Sequence, residues 1–303
     1  MATMNRSSQV NQLVPGVHAL FGTEYRLKDR CHATIFSVNK TERAWEEEVA
    51  LAGFGSASEK MEGGGVAFAE AAEAWKTRYV VSTYALAYSI TEEAWEDNLY
   101  ESLSTRYTKM LAHAMYYAKE LVCADVPNRA FTAGYVGGDG KTLGATDHPL
   151  RYGGMLSNRP ATTADLNETS LEAAYTAIAG WRDEAGLLIA ARPLRLVHHQ
   201  ANTWAAARLL NSAGRPESAD NDINPIKHTG FLPKGAYEYR FLTDPRMWFV
   251  QTDVPDGLKL FQRKAVATNT DGDFNTGDIL VRARERYVAG FSDYRAVYIV
   301  PGS

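Results

Sequence analysis

The pairing of a long helical pattern with a glycine-punctuated hairpin is the feature that most constrains the fold of this chain. The helical pattern runs from near Ser89 to about Ala124, and a helix of that length measures roughly 50 Å. A compact chain of 303 residues has a radius of gyration of about 19 Å, so this helix would span the whole body. The segment before it also has an extended pattern. One rod and one projecting arm favour an assembly subunit over an enzyme.

The long helix has a start signal, a stop signal and an apolar stripe. Ser89-Ile90-Thr91-Glu92 matches a capping box, which predicts the helix start, and Pro127 marks its end. Apolar residues recur at helical spacing and form one stripe. The stripe consists of Trp95, Leu99, Leu103, Tyr107, Met110, Ala114, Ala118 and Leu121.

The hairpin is predicted over 46–88, as two extended runs around Gly63-Gly64-Gly65. The second run, 77–88, is rich in the aromatic and β-branched residues that strands prefer. A long hairpin is only marginally stable alone in water. It therefore needs a surface to lie on, and in a homo-oligomer the next subunit can supply that surface.

The N-terminal residues 1–45 are interpreted as an extended arm. Their apolar residues are sparse and follow no clear period, and six basic against three acidic residues give a local charge of +3. Such a segment has too little apolar surface to fold alone, so we expect it to order against another surface.

The rest of the chain predicts a mixture of helices and strands, and the fold class expected for the whole is α+β. Residues 131–167 are rich in glycine and are expected to form loops, and 212–235 form a polar connection. The predicted helices are Ser170–Glu184, stopped by Gly186, and Ala201–Asn211; the predicted strands are Leu194–His198, Tyr237–Leu242, Trp248–Thr252, Leu258–Arg263, Ile279–Val288 and Ala296–Val300.

Composition excludes several classes of function. A net charge of -4 lacks the basic footprint of a nucleic-acid-binding protein. The two cysteines, Cys31 and Cys123, form neither a disulfide framework nor a metal-ligand spacing. No run of 18 apolar residues is present to span a membrane.

The residues that could suggest chemistry are better explained as structural. Asp147-His148 lacks the Gly-x-Ser-x-Gly elbow of a hydrolase, so His148 is expected to make local hydrogen bonds in a loop. Lys141 follows glycine, but the phosphate-loop spacing is absent, and the adjacent pair His198-His199 would point to opposite faces of a strand. We therefore predict no catalytic, cofactor-binding or metal site, and we expect Lys60 near the hairpin tip to be solvated.

The distribution of charge along the chain suggests a specific contact between neighbouring subunits. Seven glutamates against Lys60 give 46–73 a local charge of -6, while Arg282, Arg284 and Arg286 alternate along a strand and share one face. We hypothesise that the acidic hairpin of one subunit lies across the arginine-bearing face of its neighbour. The arginines could instead contact DNA, and the simpler alternative is that both surfaces are merely solvated.

Several stretches together resemble a known family, by their order and spacing. They are Gly144-Ala145-Thr146-Asp147-His148-Pro149-Leu150 with Ser157-Asn158, Leu171-Glu172-Ala173-Ala174-Tyr175, Asn221-Asp222-Ile223-Asn224-Pro225, Trp248-Phe249 with Thr252-Asp253, and Phe274-Asn275-Thr276-Gly277-Asp278 followed by Glu285-Arg286-Tyr287 and Gly290. Over nearly its whole length the chain resembles the major capsid proteins of tailed phages with the Hong Kong 97-like fold, in the Mu-like branch.

The resemblance implies a division of the chain into named parts. It makes 1–45 the N-arm, 46–88 the E-loop, 89–127 the spine helix of the peripheral domain and 128–240 the axial domain. Residues 241–303 would form the peripheral-domain sheet, with a return to the axial domain left open. Because Met1 opens directly on the arm, we expect scaffolding to be supplied by a separate protein.

The resemblance also implies the function. Such subunits are not enzymes: they form hexamers and pentamers that close an icosahedral head around double-stranded DNA, which they contact weakly and without specificity. Expected partners are further copies of the chain, a scaffolding protein, a portal and decoration proteins, with assembly in the host bacterial cytoplasm and residence in the virion. An encapsulin-like nanocompartment is the first alternative, and a soluble hydrolase using His148 is the second.

Inter-subunit contacts are expected where apolar or charged groups project from the subunit. The alternative, open for each residue, is that it packs onto its own subunit. The candidates are Leu20, Phe21 and Tyr25 in the arm, Phe54, Phe68 and Trp75 in the hairpin, and Arg282, Arg284 and Arg286 in the C-terminal strand.

Overall fold

A computed structural model describes residues 6–27, 30–63, 65–66, 68, 72–91, 93, 100–214, 222–273 and 276–302. Its helices are α1 (Arg6–Leu27), α2 (Cys31–Ile35), α3 (Tyr100–Asn128), α4 (Glu168–Ala179), α5 (Thr203–Asn211) and α6 (Pro225–Thr229). Its strands are β1 (Ser37–Lys40), β2 (Trp45–Ala52), β3 (Ala72–Val80), β4 (Ser82–Ile90), β5 (His148–Pro149), β6 (Met155–Leu156), β7 (Pro193–His198), β8 (Ala236–Glu238), β9 (Trp248–Thr252), β10 (Leu258–Gly272), β11 (Ile279–Phe291) and β12 (Val297–Val300).

Two four-stranded sheets organise the subunit. The first sheet has the order β1-β10-β11-β4, and the second has the order β12-β9-β7-β8. The C-terminal strands are shared between them, because β10 and β11 belong to the first sheet while β9 and β12 belong to the second. The β2–β3 hairpin pairs only with itself.

The main core lies around the second sheet. Leu196, Trp248, Phe249 and Ile299 are fully buried there. Helix α4 closes the core with its apolar face, and its start is fixed by Asn167, whose side chain accepts a hydrogen bond from the Ser170 backbone N–H in a capping box.

Helix α3 packs against the first sheet and forms a second, smaller core. Its Leu111, Ala112 and Met115 meet Val281 and Ala283 of β11. This core fixes the long helix along one face of the sheet. The helix does not cover the opposite face.

The predicted start of the long helix is wrong. Ser89 and Ile90 lie in β4, where they pair with Leu280 and Ile279 of β11, so Ser89 does not cap a helix. Over the described residues helix α3 spans Tyr100–Asn128, which is 29 residues or about 43 Å. It also continues past Ala124 and includes Pro127.

The phase of α3 differs from what its apolar stripe suggests. A stripe of this kind ordinarily faces the core, yet Met110 is 65% exposed, and Tyr107 and Leu121 are also exposed. The buried side instead includes the polar residues Lys119 and Glu120. The sequence pattern therefore marks the outer face of the helix.

The N-terminal prediction of an extended arm is wrong over 6–27, which form α1. Its Val17 and Phe21 are buried against α3 and β11, so the sparse apolar residues do have a helical phase. The other boundary changes are smaller: α4 ends at Ala179, well before Gly186, and α6 lies inside the predicted polar connection.

Some residues used above lie outside the described part of the chain. They are Gly64, Glu70, Glu92, Trp95, Leu99, Asn221, Phe274 and Asn275.

Candidate assembly surfaces

The hairpin is a two-stranded antiparallel ribbon with exposed apolar side chains beyond it. The pairing runs from Trp45 opposite Val80 to Ala52 opposite Ala72, which confirms two extended runs as far as Val80. The prediction is wrong over 82–88, because these residues belong to β4 and pair with β11 in the first sheet. Beyond the paired strands, Phe54 is 57% exposed and Phe68 is 98% exposed. A phenylalanine exposed to this degree is consistent with contact to another molecule.

Trp75 lies in β3 and is half-buried within its own chain. Its indole Nε1 is buried and has no hydrogen-bond partner among the described residues. Trp75 is therefore less available to a neighbour than the two phenylalanines.

The glutamates at the base of the hairpin bind within the subunit. The Glu48 carboxylate accepts from the Lys259 Nζ at 2.6 Å and from the Ser292 hydroxyl. Glu47 forms an ion pair with Lys76 at 2.5 Å, and Glu46 accepts from a threonine hydroxyl. Glu46 and Glu48 therefore anchor the hairpin to the rest of its own chain, whereas Glu47 links the two strands of the hairpin.

The acids in the outer part of the hairpin have a different environment. Glu59, Glu62 and Glu73 are exposed. Among the described residues of the hairpin, these are the carboxylates that can face a neighbouring subunit. The acidic surface available for such a contact is therefore smaller than the seven glutamates of 46–73 suggested.

Three arginines lie along β11 on one face of the first sheet, which we call the arginine face. Arg282 and Arg284 are exposed and Arg286 is half-buried, while the residues between them are buried on the opposite face. This arrangement confirms that the three share one face. Their cross-strand partners, none of them acidic, are Asn269 and Ala87, Ala267 and Ala85, and Lys264 and Thr83.

One guanidinium group of the arginine face, that of Arg286, lies close to other cations. Burial, together with the positive charges of Arg263 and Arg284, lowers the pKa of Arg286. The Arg286 Nε is also buried without a hydrogen-bond partner in the described part of the chain. A surface of this kind favours an anionic partner.

The opposite face of the same sheet holds a satisfied buried charge. Glu285 is fully buried and accepts from the Lys119 Nζ at 2.5 Å, the Gln262 Nε2 at 2.8 Å and the Tyr25 hydroxyl at 3.2 Å. These groups come from α3, β10 and α1, so the network ties three elements to β11. Sequence reasoning missed it, although Glu285 alternates with the arginines and must lie on the other face.

A second buried carboxylate, that of Glu120 on α3, holds helix α2 in place. Glu120 accepts from the backbone N–H of His32 at 3.0 Å, and its other oxygen lies 2.6 Å from the His32 Nδ1. Lys119 and Glu120 together explain why polar residues occupy the inner side of the long helix.

The arm candidates lie on α1 against their own subunit. Phe21 is 3% exposed, Leu20 is half-buried, and Tyr25 donates to Glu285. The side chain of Phe21 therefore stabilises the subunit itself, and contact with a neighbour is not its main role. For all nine candidates, contact between subunits stays a prediction.

His148 has the structural role expected of it. It is fully buried, stacks on Tyr294 with ring centroids 3.6 Å apart, and its Nδ1 lies 2.5 Å from an Asp139 carboxylate oxygen. Its Nε2 meets the Asn158 side chain at 3.2 Å. The ring is enclosed by fixed partners, so this arrangement offers no access for a substrate.

The other residues considered for chemistry also have local partners. Lys141 binds Asp147, which lowers the pKa of that carboxyl group through a hydrogen bond, and the His198 Nδ1 donates to the His199 carbonyl at 2.9 Å. Among the described residues, no group of three or more His, Cys, Asp or Glu side chains could hold a metal ion. No described helix has the length and hydropathy needed to cross a bilayer.

Comparison with known proteins identifies the family. A family model described as phage capsid protein matches residues 73–300. This chain therefore belongs to the phage capsid protein family. No curated protein sequence is similar enough to count as a match.

Solved structures share the fold at low sequence identity. The capsid of cyanophage P-SCSP1u superposes with a TM-score of 0.57 at 10% identity, over 89% of this chain and 86% of that chain. The procapsid of bacteriophage JBD30 gives 0.54 at 12%, over 98% and 76%. A virus-like particle from Pyrococcus furiosus gives 0.54 at 11%, over 94% and 97%.

The fold is therefore the α+β Hong Kong 97-like capsid fold, and the chain is a tailed-phage major capsid protein, a structural component of the virion that assembles into a shell. The encapsulin-like alternative is not favoured, since the matching family is one of phage capsid proteins. Assignment to the Mu-like branch stays a prediction.

Proposed function

We propose that this subunit forms the hexamers and pentamers of an icosahedral head that encloses double-stranded DNA. In this proposal residues 1–45 act as the N-arm, 46–88 as the E-loop, 89–127 as the spine segment and 128–240 as the axial domain, with 241–303 divided between the two sheets. The subunit has no catalytic role. The observation that carries the proposal is the ribbon with exposed Phe54 and Phe68, in a chain of a capsid family.

The experiment is to purify the full chain and examine it by negative-stain electron microscopy and size-exclusion chromatography. We expect rings, tubes or closed shells that form without any enzyme substrate. A protein that stays monomeric under all assembly conditions and shows hydrolytic turnover would instead support the hydrolase alternative. The buried state of His148 argues against that result.

Contact between the hairpin and the arginine face is part of this proposal. The acids that can take part are Glu59, Glu62 and Glu73, because the basal glutamates bind within their own chain. Each exposed pair is worth about 0–1 kcal/mol. The contact is repeated in every subunit, so weak pairs can still set the register of neighbours.

Charge reversal tests this contact. Arg284→Glu should impair shell formation, and Glu59→Arg with Glu62→Arg in the same chain should restore it. Arg208→Glu, which reverses an exposed arginine on α5, is the matched control and should assemble normally. Normal shells from Arg284→Glu would contradict the proposed contact between the hairpin and the arginine face.

Partners other than the chain itself are also proposed. They are a separate scaffolding protein, a portal, decoration proteins and the packaged DNA, with assembly in the host bacterial cytoplasm. Contact with DNA should be weak, because a genome has to enter and leave the head. Tight, steeply salt-dependent DNA binding by free subunits would contradict this expectation.

A further inference from the structure

The outer face of α3 carries a stripe of large apolar side chains that its own subunit leaves exposed. Met110 is 65% exposed and Tyr117 is 47% exposed, and Tyr107 and Leu121 are exposed by 40% and 42%. With Ala114 between them, we call these five residues the outer stripe. The ring of Tyr88 lies tilted beside Tyr107 and that of Phe241 beside Tyr117, yet these neighbours do not cover the stripe.

The spacing of the outer stripe is that of a helix–helix seam. Successive members are three, four, three and four residues apart, which is the spacing of residues that face a partner helix in a coiled coil. A strand or an irregular loop would not require this repeat. The occupant that the spacing fits is therefore another α-helix.

The stripe is also close to symmetric about its centre. Tyr107 and Leu121 lie seven residues before and after Ala114, while Met110 and Tyr117 lie four before and three after. Two copies placed antiparallel about a two-fold axis at Ala114 would set each Met110 sulfur against a Tyr117 ring, a favourable contact. The small central alanine allows the two helices to approach closely.

Charge does not oppose such a pairing. The stripe itself contains no charged residue. Lys109, on the side toward α1, forms an ion pair with Glu24 at 3.0 Å, and the exposed Arg106 lies at the edge of the stripe beside Tyr107. Little charged surface would be desolvated when two stripes meet.

The area of the stripe is consistent with a contact made only inside an assembly. Four large side chains of about 200 Å² each, about half exposed, offer about 400 Å² per copy. Two copies would bury about 800 Å², below the roughly 1,200 Å² of a stable free complex. The symmetry of a closed shell includes two-fold contacts. Because the contact would be repeated at each of them, the many copies together would supply the stability that one contact lacks.

We propose that the outer stripe of α3 pairs antiparallel with the same stripe of a second copy across a two-fold contact of the shell. The inference rests on the proposed shell function. It concerns a contact between two long helices, separate from the contact between hairpin and arginine face.

Cysteine crosslinking in assembled particles tests the pairing. Ala114→Cys is made in a Cys31→Ser background, because Cys123 is buried, and shells are oxidised before a non-reducing gel. We expect at least ten times more dimer than with Ala207→Cys, a similarly half-buried alanine on α5. Oxidised shells with no dimer above that control would overturn the pairing.

A second pair of variants separates a second copy from another occupant. Met110→Glu should lower assembly of the purified chain at least tenfold by light scattering, whereas Met155→Glu, which changes a similarly exposed methionine, should not. Normal assembly of Met110→Glu would overturn the inference. Absence of shells from the unmodified chain would contradict both the proposed function and the pairing; shells without the crosslink contradict the pairing alone.

Discussion

The two faces of the first sheet carry charge in opposite ways. On the face against α3, the buried Glu285 carboxylate has a cation and two further donors at hydrogen-bond distance. On the arginine face, burial and then the charges of Arg263 and Arg284 lower the pKa of Arg286, and its Nε has no partner among the described residues. Matched charge therefore holds the subunit together, whereas unmatched charge on an open face is left available to another molecule.

The largest expected effect comes from breaking the matched face. Glu285→Ala leaves Lys119, itself almost fully buried, without its carboxylate, so the free energy of unfolding should fall by about 3–5 kcal/mol. Urea unfolding of the unassembled subunit, followed by circular dichroism, measures this change.

Two variants act as controls for that loss. Adding Lys119→Met to Glu285→Ala removes the orphaned charge and should recover most of the stability. Glu59→Ala, an exposed glutamate in the hairpin, should change it by less than about 0.5 kcal/mol. If Glu285→Ala behaved like Glu59→Ala, the inner network would not be what stabilises the subunit.

A smaller effect is expected from Tyr25→Phe. This change removes one of the three bonds to Glu285 and leaves Lys119 and Gln262 in place, so about 1 kcal/mol of stability should be lost near neutral pH. The same denaturation measurement applies, with Thr23→Ala on the exposed side of α1 as the control.

Tyr25 also predicts an alkaline pH dependence. Burial, and then the nearby Glu285 carboxylate, raise the pKa of Tyr25 above its ordinary value of 10.0. The folded tyrosine therefore keeps its proton at a pH where the unfolded chain loses it, so this stabilising contribution is constant below pH 10 and declines as the pH rises further. Stability measured at pH 8 and pH 11 should decline less in Tyr25→Phe than in the unmodified chain; equal declines would argue against the assignment.

The smallest effect is expected on the unmatched face, and its sign is opposite. Arg286→Gln removes one of several neighbouring positive charges, so the melting temperature of the free subunit should rise slightly while shell formation becomes slower. Thermal unfolding and light scattering measure the two quantities on one preparation. A fall in melting temperature would mean that Arg286 has a stabilising partner, and the contrast between the faces would then be lost.

The sequence predicts those parts of the fold whose signal is local. The strand Trp248–Thr252 is found with the expected bounds, because a buried apolar run has few other conformations available. The shared face of the three arginines follows from the two-residue repeat of a strand alone.

The parts that the sequence does not predict depend on contacts between distant residues. Ser89 has the sequence of a helix cap, but pairing with Leu280 places it in a strand. Lys119 and Glu285 are separated by 166 residues, so nothing near Lys119 shows that it turns inward. The resulting rotation of α3 places the apolar stripe recognised in the sequence on the outside, which is the basis of the proposed helix pairing.

The run of chain from β3 into β4 has a mechanical consequence. Ala72–Val80 pairs within the hairpin, Ser82–Ile90 pairs with β11, and only Val81 lies between them. A pull on the hairpin by a neighbour is therefore transmitted along covalent backbone to a row of antiparallel hydrogen bonds that are loaded in shear and share the force. Tension at the edge of one subunit thus reaches the sheet that supports its long helix without passing through a flexible joint.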